Sequence, residues 1–120
     1  MSSHRIDKVE RLIKEEISLI FLQKINDPEI GFLTITQVKV SPDLKQAKIY
    51  FSVLEKEKRV LVMDKIESKI KFIRSELSHR ISLKFTPELK FFLDDRLDYV
   101  EKIENLIEKI HREDDHKSDN

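Results

Sequence analysis

The chain has 120 residues, with 23 Lys and Arg against 23 Asp and Glu, one Gly, three Pro and no Cys. For a chain of this mass the accessible surface is about 6,800 Å² when folded and about 20,700 Å² when unfolded, so enough surface is buried to stabilise one domain. The missing Cys excludes disulfides, thiolate nucleophiles and Cys-based metal sites, and the single Gly excludes glycine-rich nucleotide-binding loops and the GxSxG elbow of serine hydrolases. The zero net charge is uneven, because residues 1–90 carry 18 basic and 13 acidic residues, a net of +5, while residues 91–120 carry 5 and 10, a net of −5.

The first element is an amphipathic helix over residues 5–25, whose apolar positions recur on one face at 100° per residue. This face is assigned to the core, and Lys8 and Arg11 lie on the opposite, solvated side. The helix is expected to end before Asn26-Asp27-Pro28, because proline disfavours a helical conformation in the residue that precedes it. The apolar positions are Ile6, Val9, Ile13, Ile17 and Ile20.

Two strands follow, over residues 33–40 and 47–54. The second alternates without interruption, but the apolar positions of the first change phase near Thr36-Gln37, which predicts a β-bulge or a change of buried face there. The connection 41–46 is short and carries Pro42 at a turn position, so the two strands are expected to pair antiparallel.

A second helix is predicted over residues 60–82, after a charged connector. Its apolar stripe leaves Phe72 about 120° away on a continuous helix, an exposed aromatic with no evident purpose. We therefore hypothesise a break near residues 68–71 that changes the phase of the second half. The stripe consists of Met63, Ile66, Ile70, Ile73, Leu77 and Ile81.

The C-terminal third predicts a short strand over 89–93 and a final helix over 97–110, capped by Asp94 or Asp95. The polar residues 111–120 are expected to form a disordered tail, so a single domain covers 1–110. The element order is helix, strand, strand, one or two helices, strand, helix. Three strands in so short a chain cannot form a sheet that is buried on both faces. The expected fold class is therefore an α+β two-layer sandwich, with helices on one face of a small sheet and the other face open to water.

Catalytic and metal-binding patterns are missing from the sequence. The four histidines are His4, His79, His111 and His116, and none has a zinc-helix spacing with a carboxylate. Adjacent carboxylates such as Asp94 and Asp95 diverge on either a strand or a helix, so they do not form an acid–base pair. We predict no enzyme, no metal and no cofactor.

Basic residues are the positive signal, because Lys and Arg along the second helix and the strands are typical of a surface that neutralises RNA phosphates. Glu67 and Glu76 interrupt this pattern, so charge alone is weak support. The candidate RNA-binding residues are Arg5, Lys8, Arg11, Lys39, Lys45, Lys48, Lys65, Lys69, Lys71, Arg74, Arg80, Lys84 and Lys90.

Three separated blocks carry a more specific signal. The chain resembles the ribosome-binding factor A family, bacterial assembly factors of the small ribosomal subunit, over about residues 4–110. The matching motifs occur in the family's order. They are Arg5, Lys8 and Val9 with Glu16-Ile17-Ser18, then Asp27-Pro28, Ser41-Pro42-Asp43-Leu44, Phe72-Ile73-Arg74 and Pro87-Glu88-Leu89-Lys90-Phe91.

The resemblance implies a type II K-homology-like fold whose basic face binds 16S rRNA of the immature small (30S) subunit. It also implies a non-enzymatic role in late assembly and in processing the 5′ end of the 16S precursor, including growth in the cold. The partners would be the small subunit, its rRNA and ribosomal proteins. The implied location is the cytoplasm, which agrees with an N-terminus lacking a signal-peptide core and with the absence of a membrane-spanning apolar run.

One stretch departs from the family. K-homology domains hold RNA at a GxxG turn and this family usually has Ala-x-Gly there, whereas this chain has Lys69-Ile70-Lys71. Small residues let a backbone approach phosphate closely. The two lysines are predicted to meet phosphate through their side chains instead.

An alternative function is a protein–protein module that dimerises through the 97–110 helix, whose stripe contains Val100, Ile103, Ile107 and Ile110. We assign this stripe to packing within the molecule, which predicts a monomer. The acidic residues 91–120 either avoid rRNA through like-charge repulsion or contact a basic ribosomal protein.

Overall fold

The computed structural model describes residues 2–25 and 27–118. Within them lie three α-helices, three strands and one short 3₁₀ turn at Lys56–Lys58, in the predicted order. The bounds are α1 Ser2–Gln23, β1 Leu33–Val40, β2 Gln46–Val53, α2 Arg59–Arg80, β3 Glu88–Leu93 and α3 Arg96–Ser118.

The strands form one sheet with β2 in the centre. β1 pairs with β2 antiparallel, as predicted, and β3 pairs with β2 parallel. The register shifts between Ile35 and Gln37, which confirms the predicted bulge. Thr36 is the extra residue, so the apolar side chains on both sides of it reach the same buried face.

The core lies between one face of the sheet and helices α1 and α2. Ile13 and Ile17 of α1, Phe51 of β2, and Ile66 and Ile73 of α2 have no exposed surface. The opposite face of the sheet carries the exposed side chains of all three strands. This is the predicted two-layer α+β sandwich.

Helix α2 runs unbroken from Arg59 to Arg80, so the hypothesised break near residues 68–71 is absent. Residues 68–71 contain neither Gly nor Pro, and lysine and isoleucine are compatible with a helix interior. Phe72 therefore lies where a continuous helix puts it, 45% exposed. The family's small-residue turn has no counterpart in this chain.

Helix α3 departs most from the sequence predictions. Its apolar stripe was assigned to packing within the molecule, yet Val100, Ile103, Ile107 and Ile110 are 40% to 50% exposed. The helix also continues to Ser118, where a disordered tail was predicted from residue 111; an Arg112–Glu108 pair of 2.7 Å joins successive turns there. Residues 119–120 lie outside the described residues.

Among the described side chains, salt bridges join α3 to the body of the molecule, which α1, α2 and the sheet form. Arg59 Nη2 lies 2.6 Å from Asp98 Oδ2, and Lys56 Nζ lies 3.2 Å from Glu101 Oε2. The Glu101 carboxylate raises the pKa of Lys56. The hydrophobic core contains no residue of α3 among those whose burial is described.

The result is an elongated molecule with principal extents of 70 × 40 × 18 Å. Its radius of gyration is 19.1 Å, against about 13.6 Å for a compact chain of this length. No helix in the described part of the chain combines the length and the apolar character needed to cross a membrane.

Candidate nucleic-acid interface

A groove of about 740 Å³ lies between the second half of α2 and the segment that leads into β3. Four of the predicted RNA-binding residues line it: Lys71 and Arg74 from α2, Lys84 from the loop, and Lys90 from β3. Glu88 is an acidic side chain in the same wall. Sequence positions up to 19 apart thus converge on one basic recess.

Arg74 builds one wall of this groove. Its Nε donates to the backbone oxygen of Pro87 at 3.1 Å, and its Nη2 donates to that of Thr86 at 2.7 Å. A guanidinium has five N–H donors in a planar fork, so these two bonds fix its plane. Arg74 remains exposed, which leaves its other donors available to a phosphate.

Phe85 supplies an aromatic surface beside the basic side chains. It is 71% exposed, and Lys84 Nζ lies 5.5 Å from the centre of its ring, a cation–π distance. Unpaired RNA bases stack on exposed aromatic rings of this kind. Sequence reasoning missed Phe85, although a Lys-Phe pair between the end of a helix and an edge strand is a detectable signal.

A second set of predicted residues lies on the open face of the sheet. Lys39 pairs in register with Lys48, and Lys48 with Lys90, so the three form one row across β1, β2 and β3. All three are exposed. Lys90 belongs to both sets, because it also lines the groove at the edge of the sheet.

Two predicted residues form ion pairs within the protein. Lys65 Nζ lies 3.2 Å from Glu29 and 3.3 Å from Asp27, and these carboxylates raise its pKa. Asp27 in turn has a lowered pKa, chiefly because its carboxylate accepts a hydrogen bond from the backbone N–H of Glu29, with Lys65 adding to the effect. Lys65 therefore holds the Asp-Pro turn against α2.

Arg80 is the second engaged residue. Its Nη1 lies 3.4 Å from Glu16 Oε2, and its Nη2 lies 3.3 Å from Gln23 Oε1. The side chain is 20% exposed. These contacts tie the end of α2 to α1.

The remaining predicted residues lie away from the groove. Arg5, Lys8 and Arg11 are exposed on α1, and Lys45 lies in the turn before β2. Lys69 lines a separate recess with Phe72 and Asp27. Lys69 and Lys71, predicted to act together, therefore lie on different sides of α2.

The described residues 2–25 and 27–118 lack the geometry of a metal site. No group of three or more His, Asp or Glu side chains is close enough there to hold a metal ion. The strongest carboxylate perturbation is at Asp94, whose pKa lies far below the ordinary value, chiefly because Arg96 donates hydrogen bonds to it. Asp94 joins β1 to α3 and lies outside the groove, so its role is structural.

The element order and the two-layer packing define a K-homology-like α+β domain, here with a basic groove at its edge strand. A sequence model of the family described as ribosome-binding factor A matches residues 5–107. This chain belongs to the ribosome-binding factor A family.

Two relatives illustrate the match in sequence. A ribosome-binding factor A from Staphylococcus carnosus is 44% identical over 115 residues, covering 95% of this chain and 100% of its own. The Macrococcus caseolyticus protein of the same name is 41% identical over 112 residues, covering 92% and 98%. Both alignments span nearly the whole chain.

Solved structures agree on the fold. The solution structure of a Thermotoga maritima protein described as a ribosome binding factor A matches with a TM-score of 0.67 and 26% identity, covering 75% of this chain and 87% of its own. A Thermus thermophilus homology model, fitted into a cryo-EM map of a complex of the 30S subunit and ribosome-binding factor A, has a TM-score of 0.56 and 22% identity. That match covers 77% of this chain and 93% of the Thermus chain.

Proposed function

We propose that this protein binds the immature small ribosomal subunit and contacts 16S rRNA through the groove between α2 and β3. The observation that carries the proposal is the convergence of Lys71, Arg74, Lys84 and Lys90 around the exposed Phe85. Family membership supports the small subunit as the partner. The protein acts by binding, as a non-enzymatic assembly factor.

Electrostatics gives this proposal a measurable signature. Four basic side chains that each neutralise a phosphate of single-stranded RNA release condensed counterions, giving a slope of about −3 in a plot of log affinity against log salt. A surface that merely carries solvated charge would show a slope near zero. Salt dependence therefore separates phosphate binding from the charged side that any amphipathic helix needs.

Charge reversal in the groove tests the site directly. In the variant Lys71→Glu with Lys84→Glu, we expect binding to purified small subunits to weaken at least about tenfold and the salt slope to fall by about 2. The measurement is co-sedimentation through a sucrose gradient at several salt concentrations. Unchanged co-sedimentation would contradict the assignment of the groove.

A matched control uses Lys102→Glu with Lys109→Glu, which makes the same charge change on α3. We expect this variant to bind as the unaltered protein does, because the acidic end is proposed to lie away from rRNA. If both variants weaken binding equally, net charge rather than the groove determines binding.

The biological role is also a proposal, namely support for late assembly and for processing of the 16S precursor 5′ end, including growth in the cold. Cells lacking the protein are expected to accumulate 16S rRNA with an extended 5′ end and to grow slowly at low temperature. Primer extension on total RNA measures the first effect. Restoration by the control variant, but not by the groove variant, would link the role to the groove.

A further inference from the structure

The open face of the sheet, which the helices leave uncovered, combines basic and aromatic side chains. We propose that this face is a second RNA-binding surface, on which a single-stranded segment stacks its bases against Tyr50 and Phe92 and places its phosphates on Lys39, Lys48 and Lys90. This inference rests on the proposed function, because it names a further contact with the same partner. It is separate from the groove in its position and in its aromatic residues.

The first observation is the row of three lysines. Lys48 lies in register with Lys39 on one side and with Lys90 on the other. Like charges directly opposite each other on neighbouring strands destabilise a sheet. None of these three lysines lies within salt-bridge distance of a described carboxylate. Seven other basic side chains of the described residues do form salt bridges. A bound polyanion would relieve this repulsion.

The second observation is a stacked aromatic pair in the next row of the same face. The rings of Tyr50 and Phe92 have centroids 5.5 Å apart and an interplanar angle of 28°. Phe92 is 39% exposed, and Lys39 Nζ lies 5.9 Å from the centre of the Tyr50 ring. Phe92 is exposed and Tyr50 is half-buried, so the pair offers aromatic surface at the open face on which a base can stack.

The spacing of the two rows suits a nucleic-acid strand. Residues on one face of a strand repeat about every 7 Å, and neighbouring strands lie about 4.8 Å apart. The lysine row is therefore about 10 Å long and runs parallel to the aromatic row at a distance of about 7 Å. A single strand whose phosphates contact the lysine row therefore has its bases above the aromatic row. Other proteins that bind single strands by stacking use the same arrangement.

Position connects this face to the groove. β3 is an edge strand, and Lys90 on it both ends the lysine row and lines the groove. An RNA strand that leaves the groove at Lys90 thus crosses the edge of the sheet onto the open face. A duplex is excluded from this mode, because its bases already stack on each other and do not reach the rings.

Fluorescence reports directly on the predicted stacking. The chain has two tyrosines and no tryptophan, so Tyr99→Phe leaves Tyr50 as the one tyrosine emitter. Titration of this full-length variant with oligouridylate is expected to quench Tyr50, while a blunt-ended RNA duplex leaves the emission unchanged. Equal quenching by both RNAs, or by neither, would overturn the proposal.

Affinity provides the second readout. The variant Tyr50→Leu with Phe92→Leu keeps apolar side chains on the strands and removes the rings, and we expect oligouridylate to bind about tenfold more weakly. Lys39→Gln with Lys48→Gln should instead reduce the salt slope by about 1.4. Fluorescence anisotropy of labelled RNA measures both, and urea unfolding verifies that each variant is folded.

The outcomes separate this proposal from the proposed function. If the leucine variant binds oligouridylate as the unaltered protein does, while the groove variant loses small subunits, the stacking surface is wrong and the function stands. If the unaltered protein fails to co-sediment with small subunits at low salt, the proposed function fails. A third outcome is that salt abolishes the quenching of Tyr50 and that the leucine variant binds oligouridylate with unchanged affinity. This outcome would indicate phosphate attraction alone and would also overturn stacking.

Discussion

Asp94 connects three parts of the molecule. Its carboxylate accepts hydrogen bonds from the Thr36 hydroxyl at 2.6 Å, from the Arg96 backbone N–H at 3.1 Å and from the Arg96 guanidinium at 2.7 to 3.1 Å. Its side chain is 7% exposed. The bulge of β1 thus directs Thr36 towards Asp94, two residues before α3 begins, and the same carboxylate accepts a hydrogen bond from the first backbone N–H of α3.

Replacement of Asp94 is expected to lower stability through these lost bonds. Hydrogen bonds to a charged group contribute about 1.5–3 kcal/mol, so we expect Asp94→Ala to reduce the free energy of unfolding by about 2 kcal/mol at pH 7. Urea denaturation measures this value. Asp95→Ala is the matched control, with an expected change below about 0.5 kcal/mol, since no hydrogen bond of its side chain is described.

Acid should reduce the difference between Asp94→Ala and the unaltered protein. Because the pKa of Asp94 is lower in the folded state, its contribution is complete above the unfolded-state value of about 3.9 and is lost as the pH falls through the folded-state value. The difference in unfolding free energy should therefore be smaller at pH 3 than at pH 7. A difference independent of pH would show that the carboxylate charge is not responsible.

Among the elements, α2 differs most from what the family resemblance implies. A glycine in the interior of a continuous helix costs about 1 kcal/mol relative to alanine, whereas a glycine at a true bend costs little or stabilises. We expect Lys71→Gly to be about 1 kcal/mol less stable than Lys71→Ala in urea unfolding. Equal stability of the two variants would indicate a bend at this position.

Local patterns were sufficient for most of the fold. Alternation of apolar residues predicted the strands and the phase change of the bulge, because both depend on a period of two along the chain. The predicted break in α2 was wrong. Phe72 is exposed on a continuous helix, so its position requires no break. The outward course of α3 was missed as well, because periodicity identifies an apolar stripe but not what covers it.

The site was less predictable than the fold. Composition identified basic residues but could not distinguish Lys71, which lines the groove, from Lys65 and Arg80, which form ion pairs within the protein. That distinction depends on carboxylates from other elements, and only the tertiary structure brings them close. The Tyr50–Phe92 pair was missed for the same reason, since neighbouring strands bring its rings together beside Lys39.

At the scale of the whole molecule, α3 projects away from the core that α1, α2 and the sheet form. We therefore expect α1, α2 and the sheet to fold without α3. A chain ending after Arg96 loses the half-buried Arg59–Asp98 pair and the exposed Lys56–Glu101 pair, which contribute about 0–1 kcal/mol each, and no described core residue. We expect cooperative urea unfolding with a loss of about 2 kcal/mol or less. Loss of cooperative unfolding would show that α3 packs on the body in solution.

Scattering gives an independent measure of the same feature. The full chain has a radius of gyration of 19.1 Å, and the chain ending after Arg96 is expected to approach about 12.5 Å. A full chain much more compact than 19.1 Å would place α3 against the body.

Oligomeric state is the remaining prediction at this scale. The sequence-based prediction is a monomer, which analytical ultracentrifugation at micromolar concentration measures, although the stripe that was assigned to packing within the molecule is 40% to 50% exposed. A concentration-dependent dimer that disappears with Ile103→Lys would instead assign the stripe to a second copy. That result would favour the protein–protein alternative.

The mixed pairing of the sheet has a kinetic consequence. β1 and β2 are joined by a short turn, so their hairpin requires little loop closure, whereas the parallel partner β3 arrives only after the whole of α2 has been traversed. Closing a longer loop costs more entropy before any contact compensates for it. The groove and the shared Lys90 depend on β3, so the RNA-binding surfaces are expected to be completed late in folding and to be the first lost on unfolding.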